Sequence, residues 1–399
     1  MVLRGMGFCP GHITGFFSIH DQGREILAKG SRGAGVNLSL GAISAVTLKT
    51  PDQTGGEGPM VLKLAVNGVN DFKVDPRLYG SVVESLLPDR GAGWEANVRV
   101  NLQLPVGQGF GMSGAGALST AVAVWEAFYS KVPGWDRKLR FKAQQEKFFS
   151  MRTDEFKVTP MKRRLVDRTS LWDAGQKEVH PVRSSGKASG MLEEGGEVRP
   201  PARWLDDSQA EEDMGIFNYS DMVMAAHKSD ILTRGGLGDV VAQARGGLEM
   251  RLAPGVPPFG EVHTIPVNID SPPSVAVMTV GDPIDTSSVL TNDHKRKLIN
   301  EAGETALGNL LKDPTPENMM EESSQFSRLA RLQSLKVKGA LMAVERHAHA
   351  AQIMVGNSVF AFVGGTFGAV QMKAVIDAWK KTGEVTICSI DLIGARPVN

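Results

Sequence analysis

Apolar and polar positions in the first third of the chain predict β-strands joined by turns, followed by one helix. Residues 35–48 are rich in Val, Leu, Ile and Ala. Residues 61–66 and 98–104 alternate between apolar and polar side chains, as half-buried strands do. Residues 115–128 are rich in alanine, which predicts a buried helix directly after the last of these strands.

Helical and strand patterns alternate from residue 214 onward. The helical patterns lie at 221–227, 294–312, 316–336, 338–350 and 369–382. The strand patterns lie at 275–280, 359–363 and 385–390. A mixture of this kind predicts a second α+β domain that follows the first along the chain.

The stretch between these two halves, residues 131–213, differs from both in composition. It holds 32 charged residues in 83, whereas the remaining 316 residues hold 56. Such a density of charge, with a tract rich in Gly, Ser, Glu and Pro at 184–201, is typical of a solvated surface segment. We therefore expect an inserted, partly helical and mobile appendage that takes no part in the chemistry.

Composition and charge exclude several classes of function. The chain has 399 residues, of which 42% are hydrophobic, so it suits two or three folded domains. Its 44 basic and 44 acidic residues balance, which argues against a protein that coats nucleic acid or an anionic membrane. No apolar run approaches the roughly 18 residues that a membrane helix needs. Cys9 and Cys388 are the two cysteines and fit a reducing compartment, so we expect a cytoplasmic protein.

Glycine is enriched and clustered. It accounts for 45 of the 399 residues, or about 11% where an average protein has about 7%. The clusters lie at 5–15, 30–35, 107–116 and 235–247. Glycines in tight groups allow a backbone to approach a ligand closely or to adopt positive φ. The clusters are therefore the first candidates for a binding site.

The third glycine cluster, PVGQGFGMSGAG at 105–116, stands between a predicted strand and a predicted helix. Glycines at 107, 109 and 111 leave the turn without side chains, so backbone N–H groups and the positive end of the helix dipole can hold a phosphate. The Ser113 hydroxyl can bind phosphate or magnesium. A purely structural turn is the alternative. The segment lacks the Gly-Lys-Ser/Thr of a Walker loop and the acidic residue of a dinucleotide fingerprint.

Residues 105–117 resemble the second motif of the GHMP kinases, a family that phosphorylates small-molecule alcohols with ATP. Other family segments occur in the expected order. CPGHITG at 9–15 is similar to the first motif, with His12 where most members have Lys or Arg. Asp239 precedes the Gly246-Gly247 pair by seven positions, as in the family. Residues 355–360 are the candidate for the third motif and lack its usual glycine-rich core.

Within this family the chain resembles the archaeal pantoate kinases, in PGHITGFFSIHD (10–21), GSRGAGVNLSLGA (30–42) and HKSDILTRGGLGDVVAQARGG (227–247). The resemblance implies the two-domain α+β GHMP kinase fold. Its N-terminal β-α domain has a left-handed βαβ nucleotide site, and its C-terminal domain is a ferredoxin-like α/β sandwich. The implied boundaries are 1–130 with 214–265 for the ATP-binding domain, 131–213 for the charged insertion and 266–399 for the C-terminal domain.

The implied reaction transfers a phosphoryl group from ATP, with Mg²⁺, to pantoate and gives 4-phosphopantoate for coenzyme A biosynthesis. No nucleic-acid or membrane partner is implied, and a homodimer is compatible because the family often dimerises. Two alternatives stay open. One is another GHMP kinase that acts on homoserine, mevalonate or a sugar alcohol. The other is a nucleotide-binding regulator that kept the fold and lost catalysis.

The resemblance also implies which residues bind ATP and carry out catalysis. The ATP contacts are expected at Pro105, Gly107, Gly109, Gly111, Met112, Ser113, Gly114 and Ala115. Asp239 is expected to take the alcohol proton or to orient the hydroxyl, and a turn or helix-cap aspartate is the alternative. Asp230 stands where the family prefers Glu, and it would hold Mg²⁺ together with Ser113.

Pantoate carries a carboxylate, so its site needs a cation. Arg251 is the candidate, because a guanidinium can hold a carboxylate through two parallel bonds, and a surface arginine is the alternative. His227 is expected to bind the substrate hydroxyl or carboxylate, or else to cap its helix. Ser31 and Arg32, within GSRGAG, resemble the substrate loop of the family, and Ser31 is expected to donate a hydrogen bond to pantoate.

Overall fold

Two β-sheets form the framework of the computed structural model, which describes residues 1–55, 58–68, 74–130, 136–151, 217–284 and 292–398. The strands of the first sheet are Val2–His20 (β1), Gly30–Lys49 (β2), Val61–Asn67 (β3), Glu95–Leu102 (β4), Leu248–Ala253 (β5), Glu261–Ile265 (β6) and Arg396–Pro397 (β11). The strands of the second sheet are Ser274–Thr279 (β7), Ala351–Gln352 (β8), Ser358–Val363 (β9) and Val385–Ser389 (β10).

The α-helices cover both sheets. They are Pro51–Thr54 (α1), Pro76–Leu86 (α2), Met112–Tyr129 (α3), Arg137–Ser150 (α4), Tyr219–Leu232 (α5), Asp239–Arg245 (α6), Asp293–Leu310 (α7), Pro316–Leu329 (α8), Leu335–Met342 (α9) and Ala369–Trp379 (α10). Helix α3 packs on β1 and β2, and α2 and α5 pack on α3. Among the described residues, no helix combines the length and the apolar character needed to cross a membrane.

Strands β1 and β2 form one long antiparallel hairpin, on which α3 lies in close contact. Val2 pairs with Lys49 at the open end of the hairpin. A β-carbon on Gly5 would lie 2.2 Å from the Ala123 carbonyl oxygen, and such an atom would clash with the backbone of α3. A β-carbon on Gly7 would likewise lie 2.3 Å from the Ser119 carbonyl oxygen, so these two glycines of the first cluster serve helix packing.

The strand, glycine loop and helix predicted around residue 107 are present. Strand β4 ends at Leu102, and α3 begins at Met112. Strand β4 pairs in parallel with β3, and α2 lies in the connection between them. Helix α2 has no counterpart among the sequence predictions. Its buried residues, which include Leu78, Val82 and Leu86, recur at helical spacing despite the Pro and Gly in the segment.

The second sheet confirms the predicted ferredoxin-like part of the fold. Its strand order is β10-β7-β9-β8, and every neighbouring pair is antiparallel. In the described residues the chain runs from β7 through α7, α8 and α9 to β8 and β9, and then through α10 to β10, which is the order of a split β-α-β unit. Strand β11 then returns to pair with β1, so the end of the predicted 266–399 domain belongs to the first sheet.

Helix α4 lies in the stretch expected to be a solvated appendage, yet it belongs to the same compact unit as both sheets. Phe141 and Phe148 are buried, and the Phe141 ring packs edge-on against Trp125 at 5.1 Å between centroids. The expectation was wrong for this helix, because its charged residues surround two aromatic side chains that pack into the core. The rest of the expected insertion, apart from residues 136–151, lies outside the described residues.

His227 joins α5 to the start of β2. Its Nε2–H donates to the carbonyl oxygen of Lys29 at 2.9 Å, and the ring is buried. Burial lowers the pKa of His227 to about 4, although the carbonyls of Lys29 and Ile26 oppose the shift. The imidazole is therefore neutral at pH 7 and fixes the backbone two residues before Ser31.

We predict that Gly5→Ala lowers the free energy of unfolding by about 2–3 kcal/mol, because a methyl group here displaces backbone atoms of α3. Chemical denaturation of both proteins measures the difference. Gly308→Ala is the matched control, since a β-carbon at this exposed position in α7 meets nothing within 4 Å. The control should be neutral or slightly stabilising. A Gly5→Ala protein as stable as the control would contradict the close packing described for α3.

His227 also predicts a pH dependence of stability. Its folded-state pKa lies below the unfolded value, so its contribution is complete above about pH 6.5 and is lost as the pH falls toward 4. The loss amounts to about 3 kcal/mol at most. In His227→Gln, which keeps a donor for Lys29, the free energy of unfolding should fall less steeply between pH 7 and pH 4. Parallel slopes in denaturant titrations at several pH values would contradict a buried neutral imidazole.

Candidate active site

The glycine loop between β4 and α3 has the geometry of an anion cradle. Gly107, Gly109 and Gly111 have φ angles of 74°, 86° and 60°, a region that is costly for residues with a β-carbon. Gly111 precedes α3 without a side-chain cap, so no side chain occupies the first N–H groups of this 18-residue helix. These groups can therefore bind a phosphate together with the helix dipole.

A cavity of about 270 Å³ opens beside this loop and brings three of the expected segments together. Its lining includes Ser31 from β2, Gly107, Gly109, Gly111, Met112 and Ser113 from the loop and α3, and Gly235, Gly236, Gly238 and Asp239 from the turn before α6. Met354 and Val355, at the candidate third motif, close another side. Pro105, Gly114 and Ala115, also expected to bind ATP, do not line the cavity.

The turn between α5 and α6 passes directly over the expected catalytic side chains. A β-carbon on Gly235 would lie 1.9 Å from Asp230 Oδ1 and 2.9 Å from Ser113 Oγ. One on Gly236 would lie 2.0 Å from Asp239 Oδ2. The structure therefore gathers Asp230, Asp239 and Ser113 around one short stretch of backbone.

Asp230 is a buried acid whose oxygen atoms are open. The side chain is fully buried, and neither oxygen has a hydrogen bond of standard geometry to any of the described residues. Burial and then the charge of Asp239 raise the pKa of Asp230 to about 7, against smaller opposing effects of the Ser113 hydroxyl and the Gly236 N–H. Open carboxylate oxygens beside a serine hydroxyl form a site that a divalent cation would complete.

Asp239 is the first residue of α6, and it is held by a histidine. Its side chain is 18% exposed and lines the cavity. The Nδ1 atom of His12 lies 2.7 Å from Asp239 Oδ1, and its Nε2 atom lies 3.0 Å from Glu249 Oε1, both within hydrogen-bond distance. Burial alone would lower the pKa of His12, but the hydrogen bonds and charges of the two carboxylates outweigh it, so that the pKa is raised.

Arg251 is a buried arginine and not a surface one. Its Nη1–H donates to Glu249 Oε1, while Nε and Nη2 have no partner within the described part of the chain. A β-carbon on Gly238 would lie 2.7 Å from Arg251 Nε and 2.3 Å from Ser31 Oγ. Arg251 and Ser31 therefore lie together beneath the turn that ends in Asp239, and Arg251 has two N–H groups available for an anion.

Three residues expected at the substrate site, Arg32, His227 and Arg251, do not line the cavity. Arg32 donates from Nε to the Leu252 carbonyl at 2.9 Å and forms an ion pair with Glu304. The GSRGAG segment is the start of β2 and not a loop, and neighbouring residues of a strand face opposite sides, so Ser31 and Arg32 cannot both face the cavity. His227 does not contact the cavity. Its hydrogen bond to Lys29 holds the backbone that leads to Ser31, which does.

Two glutamines, which the sequence analysis did not single out, hold the glycine loop. Gln243 on α6 donates to the Gly111 carbonyl at 2.8 Å. Gln108 donates to the Gly281 carbonyl at 2.8 Å and accepts from Ser358 Oγ at 3.3 Å. Helix α6 and the second sheet therefore both fix the loop, and Ser358 belongs to the candidate third motif.

The sequence motifs did not mark Glu249, Gln243 or Arg234. For the first two, the spacing to a predicted site residue indicates a shared face of a strand or helix. Glu249 lies two residues before Arg251 on β5, so the two side chains share one face of the strand. Gln243 lies four residues after Asp239 on α6, so both lie on one side of the helix. Arg234, an exposed cation on the cavity wall, has no such relation to another site residue.

Curated relatives exist, although no protein-family model matches the chain. The pantoate kinase of Thermococcus kodakarensis is 27% identical over 364 residues, which cover 89% of this chain and 86% of that protein. The pantoate kinase of Methanospirillum hungatei is 25% identical over 90% of this chain and 87% of its own. The pantoate kinase of Methanocaldococcus jannaschii is 33% identical over a shorter region, 36% of this chain and 50% of that protein.

Solved structures share the fold. One described as a phosphotransferase related to the CoA biosynthesis pathway superposes with a TM-score of 0.64 at 24% identity, covering 100% of this chain and 99% of its own. The homoserine kinase of Cytophaga hutchinsonii gives 0.56 at 10% identity, with 99% and 97% covered. MDDEF in complex with MVAPP, AMPPCP and magnesium also gives 0.56 at 10% identity, with 100% of both chains covered. The chain is therefore similar over most of its length to two curated pantoate kinases, and it has the fold of the GHMP kinases.

Proposed function

We propose that the protein is a pantoate kinase, which transfers the γ-phosphoryl group of ATP to pantoate and gives ADP and 4-phosphopantoate in coenzyme A biosynthesis. One observation supports this function best: a buried arginine with two unpartnered nitrogen atoms lies beneath the turn that leads to Asp239, and Asp239 lines the cavity beside the phosphate loop. Pantoate has a carboxylate at one end and a primary alcohol at the other. The two side chains match these two groups.

The phosphates of ATP would bind in the glycine loop. Backbone N–H groups of the loop and the positive end of α3 supply the attraction, and Gly107, Gly109 and Gly111 let the backbone approach the phosphates. Arg234 lies on the cavity wall, where its charge can compensate the phosphate oxygens. The two glutamines keep the loop rigid, which limits the entropy lost when ATP binds.

Asp230 and Ser113 fit a magnesium ion. Mg²⁺ prefers a few oxygen ligands from the protein and keeps several of its waters, so one carboxylate and one hydroxyl suffice. Asp230 has open buried oxygens, and a nearby cation would favour its ionised form. When bound, the ion neutralises charge on the transferring phosphate.

Asp239 would act on the alcohol. The hydroxyl oxygen attacks the γ-phosphorus as the bond from that phosphorus to the β-phosphate oxygen breaks, and ADP leaves. The hydroxyl proton goes to Asp239, whose carboxylate lines the cavity next to the loop. Arg251 and Ser31 would hold the acceptor carboxylate, which orients the alcohol toward the phosphate.

The other residues expected at the substrate site have smaller roles in this proposal. His227 supports the substrate site through Lys29 and the start of β2. Arg32 has no direct part in it, because it is paired with Glu304. A small-molecule kinase that consumes ATP fits the cytoplasm, and the homodimer stays a prediction from the family resemblance.

An assay of ADP release with purified protein, ATP and Mg²⁺ tests the function against its alternatives. We expect turnover with pantoate and none with homoserine, mevalonate or sugar alcohols, and we expect Asp239→Asn to abolish it while ATP binding persists. Turnover with another alcohol alone would assign a different kinase of the same fold. ATP binding without turnover of any alcohol would indicate a regulator.

Arg251→Gln tests how the carboxylate is recognised. We expect the KM for pantoate to rise about 10- to 100-fold with little change in the KM for ATP, because charge-assisted hydrogen bonds to the carboxylate are lost. Arg32→Gln serves as the comparison, since that guanidinium contacts Glu304 and Leu252, and its effect should be smaller. If Arg251→Gln changed only the KM for ATP, the arginine would bind ATP and not pantoate, which would contradict this assignment.

A further inference from the structure

His12 lies completely buried between two carboxylates. Its Nδ1 is 2.7 Å from Asp239 Oδ1 and its Nε2 is 3.0 Å from Glu249 Oε1. Three elements meet at this ring, since His12 is on β1, Glu249 on β5 and Asp239 on α6. The ring also lies close to β2, where a β-carbon on Gly35 would come within 2.2 Å of Nε2. The imidazole is therefore fixed in position from both sides.

Counting donors and acceptors assigns the charge state of this ring. An ionised carboxylate only accepts hydrogen bonds, whereas a neutral imidazole has one donor and one acceptor. A neutral ring would leave one of its nitrogens facing a carboxylate lone pair, unless that acid were itself protonated. An imidazolium donates to both, and the raised pKa of His12 agrees with this state.

The groups around His12 form a chain of alternating charge. Asp239 is followed by His12, then by Glu249, then by Arg251, whose Nη1 bonds the same Glu249 oxygen that His12 contacts. Asp230, on α5, is a further acid near this chain, and the charge of Asp239 acts on it. One end of the chain is the cavity-facing Asp239, and the other is the guanidinium with two open donors.

We propose that His12 is a positioning residue of the phosphoryl transfer: held by Glu249, its imidazolium fixes the Asp239 carboxylate at the acceptor hydroxyl. Glu249 also bonds Arg251. One buried acid therefore positions Asp239, which receives the alcohol proton, through His12, and positions Arg251, which binds the acceptor carboxylate, directly. This inference rests on the proposed function for its kinetic consequences. The charge state of His12 can be tested without any substrate.

The first test is ¹⁵N NMR of histidine-labelled protein between pH 6 and pH 9. Of the eight histidines in the chain, the His12 signal is the one that disappears in His12→Gln. We expect both ring nitrogens of His12 to be protonated at pH 7, and we expect Glu249→Gln to lower the pH at which the ring loses its proton. A neutral His12 ring at pH 7 would overturn the proposal. Because this readout needs no turnover, it holds even if pantoate is not the acceptor.

The second test separates positioning from binding. In His12→Gln we expect kcat to fall by about 10- to 100-fold, as a displaced catalytic group causes, with little change in the KM for pantoate or ATP. In Glu249→Gln the alkaline limb of the kcat profile should move to lower pH, because His12 keeps only one carboxylate to hold its proton. A kcat that falls equally at every pH in Glu249→Gln would indicate a merely structural role and overturn the proposal.

His263→Gln is the matched control. His263 also pairs with a glutamate on its own strand, Nε2 to Glu261 Oε1 at 2.6 Å, but it is 40% exposed and does not line the cavity. The same change there should leave kcat and its pH profile as in the wild type. Thermal unfolding of each variant shows whether it is folded. A folded His12→Gln with wild-type kcat would overturn the proposal, whichever alcohol the enzyme uses.

Discussion

The contact on which the site depends is the buried pairing of His12 with Asp239 and Glu249. Charges removed from water cost several kcal/mol each unless partners of opposite sign compensate them. Here the signs alternate from Asp239 through His12 and Glu249 to Arg251, so each buried charge has an opposite neighbour. This requirement sets where β1, β5 and α6 lie relative to one another, and removing any one member would leave an uncompensated charge in the core.

Helix α6 connects this chain of charges to the phosphate loop. Its first residue is Asp239, and one turn later Gln243 holds the Gly111 carbonyl at 2.8 Å. The same short helix therefore sets the distance between the group that acts on the alcohol and the loop that would hold the phosphate. Glycines allow this arrangement, because β-carbons on Gly235, Gly236 and Gly238 would clash with Asp230, Asp239 and Ser31 respectively.

Much of the fold follows from local patterns that the sequence displays. Strand β4, the glycine loop and α3 were predicted because periodicity and glycine spacing are local signals. Strands β7, β9 and β10 of the second sheet were predicted for the same reason, whereas the short strand β8 was not. Contacts between distant segments were not. Gly5 resembles a ligand-loop glycine, but its role is decided by α3, more than a hundred residues away. Glu249 is an ordinary strand acid until His12 and Arg251 are seen beside it. The substrate role of Arg32 stays a prediction, and its ion pair with Glu304 in a distant segment has no local signal in the sequence.

A crystal structure of the protein with pantoate and a non-hydrolysable ATP analogue tests the central claim most directly. We predict that the pantoate carboxylate accepts hydrogen bonds from Arg251 Nε or Nη2 and from Ser31. The primary hydroxyl should lie within about 3 Å of an Asp239 oxygen, with Asp239 still bonded to His12. A carboxylate bound away from Arg251, or an alcohol out of reach of Asp239, would contradict the claim that one chain of buried charges recognises both ends of the acceptor.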